Sequence, residues 1–287
     1  MKCLYLQKIT MKKICLAIAL VTVISFTAEA QLKTPVASPR QTIVQEFGLS
    51  QIELSYSRPA AKGRSIFGDL VPYGKVWRTG ANQATTITFG DDVTIGGKLV
   101  KAGKYGLLSI PDNYEWTIII TKQLDVTSPN AYKQDEDVVR IKAPVNSLPF
   151  PIQSFMILFE NITSNSVDLM ILWEQSAVSI PITTDVDSKV MAQIEENMKS
   201  DKPAYYSAAQ YYLDNNKDLN KALPWFDKAL EQNPNAFWVH YNKAVALSKL
   251  GKKKEAIASA EQSKKLAQNA KNDDYVKLND KLISSLK

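Results

Sequence analysis

The chain has 287 residues, enough for two separately cored domains. Apolar residues make up 45% and charged residues 22%, which excludes a disordered or fibrous class. Of the formal +6 charge, the four lysines and one glutamate before residue 31 contribute +3, and the remaining +3 forms no dense basic stripe, which argues against nucleic acid as a partner.

Residues 1–30 read as a secretory leader. Met11-Lys12-Lys13 supplies the positive start, ICLAIALVTVISF (14–26) the apolar run, and Ala28-Glu29-Ala30 the small-residue cleavage site, so cleavage is expected after Ala30. The run is too short for a comfortable membrane span, and no later stretch offers one. Both cysteines, Cys3 and Cys15, fall in this leader, so the processed chain has neither disulfide nor thiol nucleophile. Cys15 opens the apolar run instead of following it, which argues against a lipid anchor. The expected location is periplasmic or extracellular, with no transmembrane segment after processing.

Residues 31–40 read as a flexible lead-in and 41–184 as a β-sandwich, jelly-roll-like and mostly antiparallel. Strands are expected at 42–47, 52–57, 85–89 and 105–110, then at 116–121, 138–145, 154–161, 166–174 and 176–182. VTI-GG-KLV (93–100) is a hairpin, because two glycines supply the positive φ angles of a primed turn. Alternation puts Val167, Leu169, Ile171 and Trp173 on one face, and Phe155, Ile157 and Phe159 on the same face one strand earlier. Short strands separated by turn signals indicate a sandwich in preference to a closed barrel.

From 185 to 287 the apolar period becomes helical, with expected helices at 187–199, 203–214, 219–232, 236–250, 253–268 and 273–286. Ala222, Phe226 and Ala229 recur 34 positions later as Ala256, Ala260 and Ser263. KALPWFDKALEQNP (221–234) and HYNKAVALSKLGKKKEAI (240–257) resemble tetratricopeptide repeats, in which small residues let paired helices approach. The earlier unit, YYSAAQYYLDNNKDL, lacks the turn glycine and is one residue out of phase. That resemblance implies a concave face for a protein partner, with Tyr211, Trp238, Tyr241 and Asn242 as candidate contacts. Packing between repeats is the competing role for Trp238 and Tyr241.

The segment from 56 to 82 concentrates the chemistry: Tyr56, Arg58, Lys62, Arg64, Tyr73, Lys75, Trp77, Arg78 and Asn82, punctuated by glycines. Arginines offer planar forks for anions, and Trp and Tyr offer flat faces for a sugar ring or a cation. The same groups suit a second role, satisfying the backbone of a long loop that crosses a sandwich. YSRP, KGRSIFG and LVPYGKVWRTGAN, from Ser38-Pro39-Arg40 to AGKYGLLSIP (102–111) and onward to 183, resemble the secreted domain-of-unknown-function 2911 family. The resemblance implies an extracytoplasmic β-rich domain and no activity. It also implies an acid where this chain has Gln83, so an ion pair made there by relatives would be missing.

A single histidine, His240, lies in the repeats, where packing is its expected role; this excludes a Ser-His-Asp triad or a histidine metal site in the β region. There is no phosphate-binding glycine loop or dinucleotide fingerprint, and GDD (90–92) and QDED (134–137) match no calcium ladder. No cofactor and no metal are expected. Three functions compete. The first is an exported non-enzymatic module, its sandwich binding a glycan or anionic ligand and its repeats an envelope protein. The second is an envelope polysaccharide hydrolase, which needs two of Glu53, Asp69, Glu115, Glu160 and Glu174 facing each other beside Trp77. The third is a structural envelope scaffold.

Overall fold

The computed structural model describes residues 34–287. The leader, its cleavage site and both cysteines lie outside those residues. Among the described residues nine strands, all paired antiparallel, form one open sheet in the order β1-β2-β3-β6-β7-β8-β9-β4-β5. They are β1 Arg40–Phe47, β2 Ser50–Ser57, β3 Thr86–Phe89, β4 Val93–Ile95, β5 Lys98–Val100, β6 Gly103–Ile110, β7 Glu115–Thr121, β8 Asp137–Glu160 and β9 Ser166–Thr183. The sheet does not close, because β1 and β5 remain as its edges.

The long β8 turns this one sheet into two layers. Its first part pairs with β7 and its second part with β9. Leu54, Ile87 and Trp116 from one layer and Phe155, Ile171 and Trp173 from the other share a single buried core. The alternation read for β9 is the observed one: Val167, Leu169, Ile171 and Trp173 are all buried.

Two corrections concern length. The segments expected at 138–145 and 154–161 are one strand, as are 166–174 and 176–182. Pro149 and Pro151 lie between the two segments expected in β8. The register between β8 and β9 slips between Ser147 and Ile152 and again before Met156, so the extra residues of β8, Pro149 and Pro151 among them, bulge out of the ladder. Gly96 and Gly97 turn the β4–β5 hairpin with φ of 57° and 75°.

Six helices follow: α1 Val186–Asn197, α2 Tyr205–Asp214, α3 Leu219–Gln232, α4 Phe237–Lys249, α5 Lys253–Asn269 and α6 Asp273–Leu286. Asp185 caps α1 by accepting the Ser188 amide at 3.1 Å. The repeating positions Ala222, Phe226 and Ala229, and Ala256, Ala260 and Ser263, are all buried. Gly251 turns α4 into α5 at φ 74°, and Asn216 makes the equivalent turn before α3 at φ 51°. Asn tolerates the left-handed region through its short polar side chain, which is why the earlier unit needs no glycine.

Candidate functional site

The segment between β2 and β3, residues 58–85, closes one end of the two layers. Pro59 and Ala61 exchange backbone bonds with Phe155 and Gln153 of β8, at 2.8 and 2.7 Å. Further on, Trp77 and Ser109 of β6 bond reciprocally at 2.7 and 2.9 Å. The polar signature residues donate to backbone carbonyls, some of the segment itself and some of β8 and neighbouring loops. Arg58 Nε donates to Phe155 O at 3.1 Å, and Arg64 donates to Ala61 O and Ala60 O at 3.0 and 2.8 Å. Trp77 Nε1 donates to Gly80 O at 3.0 Å, Arg78 Nη1 to Thr127 O, and Asn82 Nδ2 to Ser38 O at 3.0 Å.

Tyr56 is fully buried. Its hydroxyl accepts the Ile157 amide at 3.0 Å and faces Ile157 O and Gln41 Oε1 as acceptors, so it ties β2 to the edge of β8 and does not reach solvent. Burial raises its phenol above the usual range. Lys62 and Lys75 are exposed. Tyr73, 37% exposed, lies over Gly68, where an added Cβ would sit 2.7 Å from its ring at a backbone φ of 89°. Gln83 Oε1 accepts from Arg40 Nη1 at 3.1 Å, so a hydrogen bond from the guanidinium to an uncharged amide stands where the resemblance implied an ion pair.

Trp77 joins an aromatic cluster that the sequence did not assemble. Its ring stacks on Trp173 at 5.9 Å and 19°, and meets Phe155 and Trp116 edge-on at 5.1 and 6.2 Å. Trp173 was legible as an inward residue of β9, but nothing in its spacing named Trp77 as its partner.

Three cavities open on this end. One, of about 270 Å³, is walled by Arg64, Arg78, Trp77 and Trp173 with Ser38, Pro59 and Gly80. The second, about 210 Å³, shares Leu70, Val71, Trp77 and Arg78 with it and adds Lys75 and Val126–Pro129. The third, about 350 Å³, shares Arg64 with the first and holds Tyr73, Gln153 and Glu174. Arg58 lines none of them. Arg78 Nε is buried and has no partner among the described residues. Neither cavity walled by Trp77 contains an Asp or Glu. Glu174 lies in the third, at φ 49°, and its Oε1 caps the Ile66 amide at 3.1 Å. Burial first, then the charges of Glu174 and Asp112, raises the Tyr73 phenol. Glu115 pairs with Lys142 at 3.2 Å, while Asp69 and Glu160 are exposed.

In the helical region Tyr211 donates to Asp187 at 2.9 Å, and Lys217 pairs with the same carboxylate at 2.6 Å, tying α1 to the α2 turn. Tyr211 also lines a groove of about 340 Å³ between α1 and α2, with Val190, Ile194 and Ala208. Asn242 donates to the Tyr206 hydroxyl at 3.1 Å, and Tyr241 meets Tyr275 edge-on at 5.6 Å. These pairs join α2 to α4 and α4 to α6. Trp238 packs against Phe237 at 5.0 Å. His240, half-buried, faces the Pro234 carbonyl at 3.1 Å.

Models of the tetratricopeptide repeat match residues 203–236 and 225–258. An uncharacterized protein of Methanocaldococcus jannaschii is 41% identical over 63 residues, which covers 22% of this chain and 71% of that protein. No solved structure matches. The model of a protein of unknown function, DUF2911, matches residues 38–182, the lead into β1 and almost all of the sheet. With the signature residues closing that sheet, the chain belongs to the domain-of-unknown-function 2911 family and carries tetratricopeptide repeats behind it.

Proposed function

We propose that the protein is an exported, non-enzymatic binding module. Its β domain takes an anionic ligand, a charged glycan or a phosphate compound, in the cavity between Arg64 and Arg78. Its repeats hold a protein partner, with the groove beside Tyr211 and the faces of α2 and α4 as the contact region. Tetratricopeptide repeats suggest protein binding in general. The leader read at 1–30 supports export.

One observation carries the ligand reading. Arg64 and Arg78 both line one cavity, and among the described residues its charged walls are these two cations alone. Arg78 gives Nη1 to Thr127 O, and a guanidinium carries five donors, so an oxyanion seated in the cavity can take the Nη donors that remain. Trp77 and Trp173 give the same cavity a flat apolar wall suited to a sugar ring. A carboxylate pair, which hydrolysis would need, does not line it.

The test follows indole emission while the protein is titrated with inorganic phosphate and, separately, with glucuronate. A saturable change that Arg78→Ala abolishes supports the reading. No saturable response to either anion, or a response that Arg78→Ala leaves intact, refutes it. Recovery of the native protein from the cytoplasm with residues 1–30 attached would refute export.

A further inference from the structure

We infer that the β1 edge is a self-association surface, on which a second copy of this chain adds its own β1 antiparallel to the first. β1 is an outer strand of the sheet, and its pairing with β2 runs unbroken over eight residue pairs. Long uncovered edges are a hazard that folds suppress with prolines, lysines, bulges or short strands. The opposite edge does this: β5 has three residues and begins with Lys98. β1, Arg-Gln-Thr-Ile-Val-Gln-Glu-Phe, is long and has no proline, lysine or bulge, and its charges, Arg40 and Glu46, are of opposite sign and lie near its two ends.

The hydrogen-bond phase fixes which groups are free. Phe47 pairs with Ser50 across a two-residue turn, and the Arg58 amide bonds Pro39 O at 2.9 Å on the same ladder. Odd-numbered residues of β1 therefore bond β2, and the amides and carbonyls of Arg40, Thr42, Val44 and Glu46 point away from the sheet. A two-fold axis normal to the sheet keeps both core faces on one side and requires that paired residue numbers have the same parity. The register using all four outward residues centres on Ile43, pairing Thr42 with Val44 and Arg40 with Glu46. That register also sets opposite charges face to face twice. Arg40 already donates to Ser55 and Gln83, but a guanidinium has five donors; Glu46 O already accepts from Gln45 Nε2, but a carbonyl has two lone pairs. Val44, 55% exposed on the outer face, gains a cross-strand neighbour in Thr42 of the second copy. Such a contact is smaller than a standard interface, so it is a weak dimer.

Sedimentation velocity across the micromolar range tests this, with residues 1–30 removed so that their apolar run cannot drive association. The expected result is a reversible rise from the mass of one copy toward two. Arg40→Glu and Glu46→Arg each place like charges opposite each other twice and should weaken the dimer by about tenfold or more. Mixing the two variants restores opposite charges at both positions and should restore association as a heterodimer. Val44→Pro deletes an outward amide without touching the β2 ladder, and should abolish association while the melting curve is retained. A single-copy mass at every concentration, which is also the result if another segment or peptide occupies this edge, overturns the inference. So does a dimer that Val44→Pro and the charge swaps leave unchanged.

Discussion

Tyr56→Phe removes one oxygen atom from the middle of the molecule, and its consequence is calculable. The ring is fully buried and edge-on to Phe155 at 5.7 Å, so Phe preserves the packing. What disappears is the partner of the Ile157 amide, 3.0 Å away, together with one donor to Ile157 O. Ile157 is itself 1% exposed, so water cannot take over. Leaving a buried amide unsatisfied costs about 1–3 kcal/mol. For a domain of this size, about 2 kcal/mol corresponds to a melting point lowered by roughly 4–8 °C. Calorimetry would read that shift in the β-domain transition, and hydrogen exchange would show faster exchange at the Ile157 amide. Tyr114→Phe is the control, since Tyr114 is 85% exposed and should leave both unchanged. A Tyr56→Phe midpoint within a degree of wild type, with unchanged exchange at Ile157, would refute the idea that this hydroxyl ties the layers.

Arg58→Ala strands Phe155 O and should lower stability by about 1.5–3 kcal/mol without altering any anion response, read by melting and by indole emission together. Arg78→Ala should lose the anion response, and it also releases Thr127 O, so a smaller drop in melting point accompanies it. Burial, with Lys243 adding to it and the Pro234 carbonyl opposing it, lowers the His240 pKa, so the fold favours the neutral ring. The stabilisation is then fully present above the ordinary pKa of about 6.5 and is lost as pH falls through the lower folded value. The repeat transition should soften slightly between neutral pH and about pH 5, and His240→Gln should remove that slope. Burial and its bond to Asp137 push the Tyr132 phenol up to about 12. Its contribution holds below the ordinary value of about 10 and fades as pH rises through about 12, so Tyr132→Phe should remove part of the late wave in a tyrosinate absorbance titration.

Period and punctuation carried most of the architecture. The Gly96-Gly97 hairpin, the inward row of β9 and the 34-residue recurrence of small residues depend on local spacing, and each is read without knowing the partner. The continuity of β8 was not legible. Prolines 149 and 151 signal a break to any local reading, and only the slipped register against β9 shows that the strand absorbs them. Asn216 shows the reverse: a missing glycine suggested a weakened repeat, yet the left-handed turn is made by asparagine. In the candidate site, residue types were visible but their partners were carbonyls. Phe155 O, Thr127 O and Ser38 O have no signature in a sequence, because every residue has one.

That last point governs how the signature is understood. Where a loop bridges two layers, backbone carbonyls of the loop and of its neighbours need donors; a row of Arg, Trp and Asn meets that need whether or not anything binds. Cationic character alone therefore does not mark a site. What marks one is donor capacity left over after the backbone is satisfied, placed where a ligand can reach it. Arg58 directs its Nε to the backbone and lines none of the three cavities. Arg64 spends two donors on Ala60 and Ala61 and keeps the rest at the junction of two cavities. Arg78 gives one Nη1 bond to Thr127 and lines both cavities beside Trp77, so its other Nη donors are the ones left for a ligand. The three arginines thus grade from fold to site along one loop. Their separation by melting and by anion titration divides the two roles that the sequence leaves superimposed.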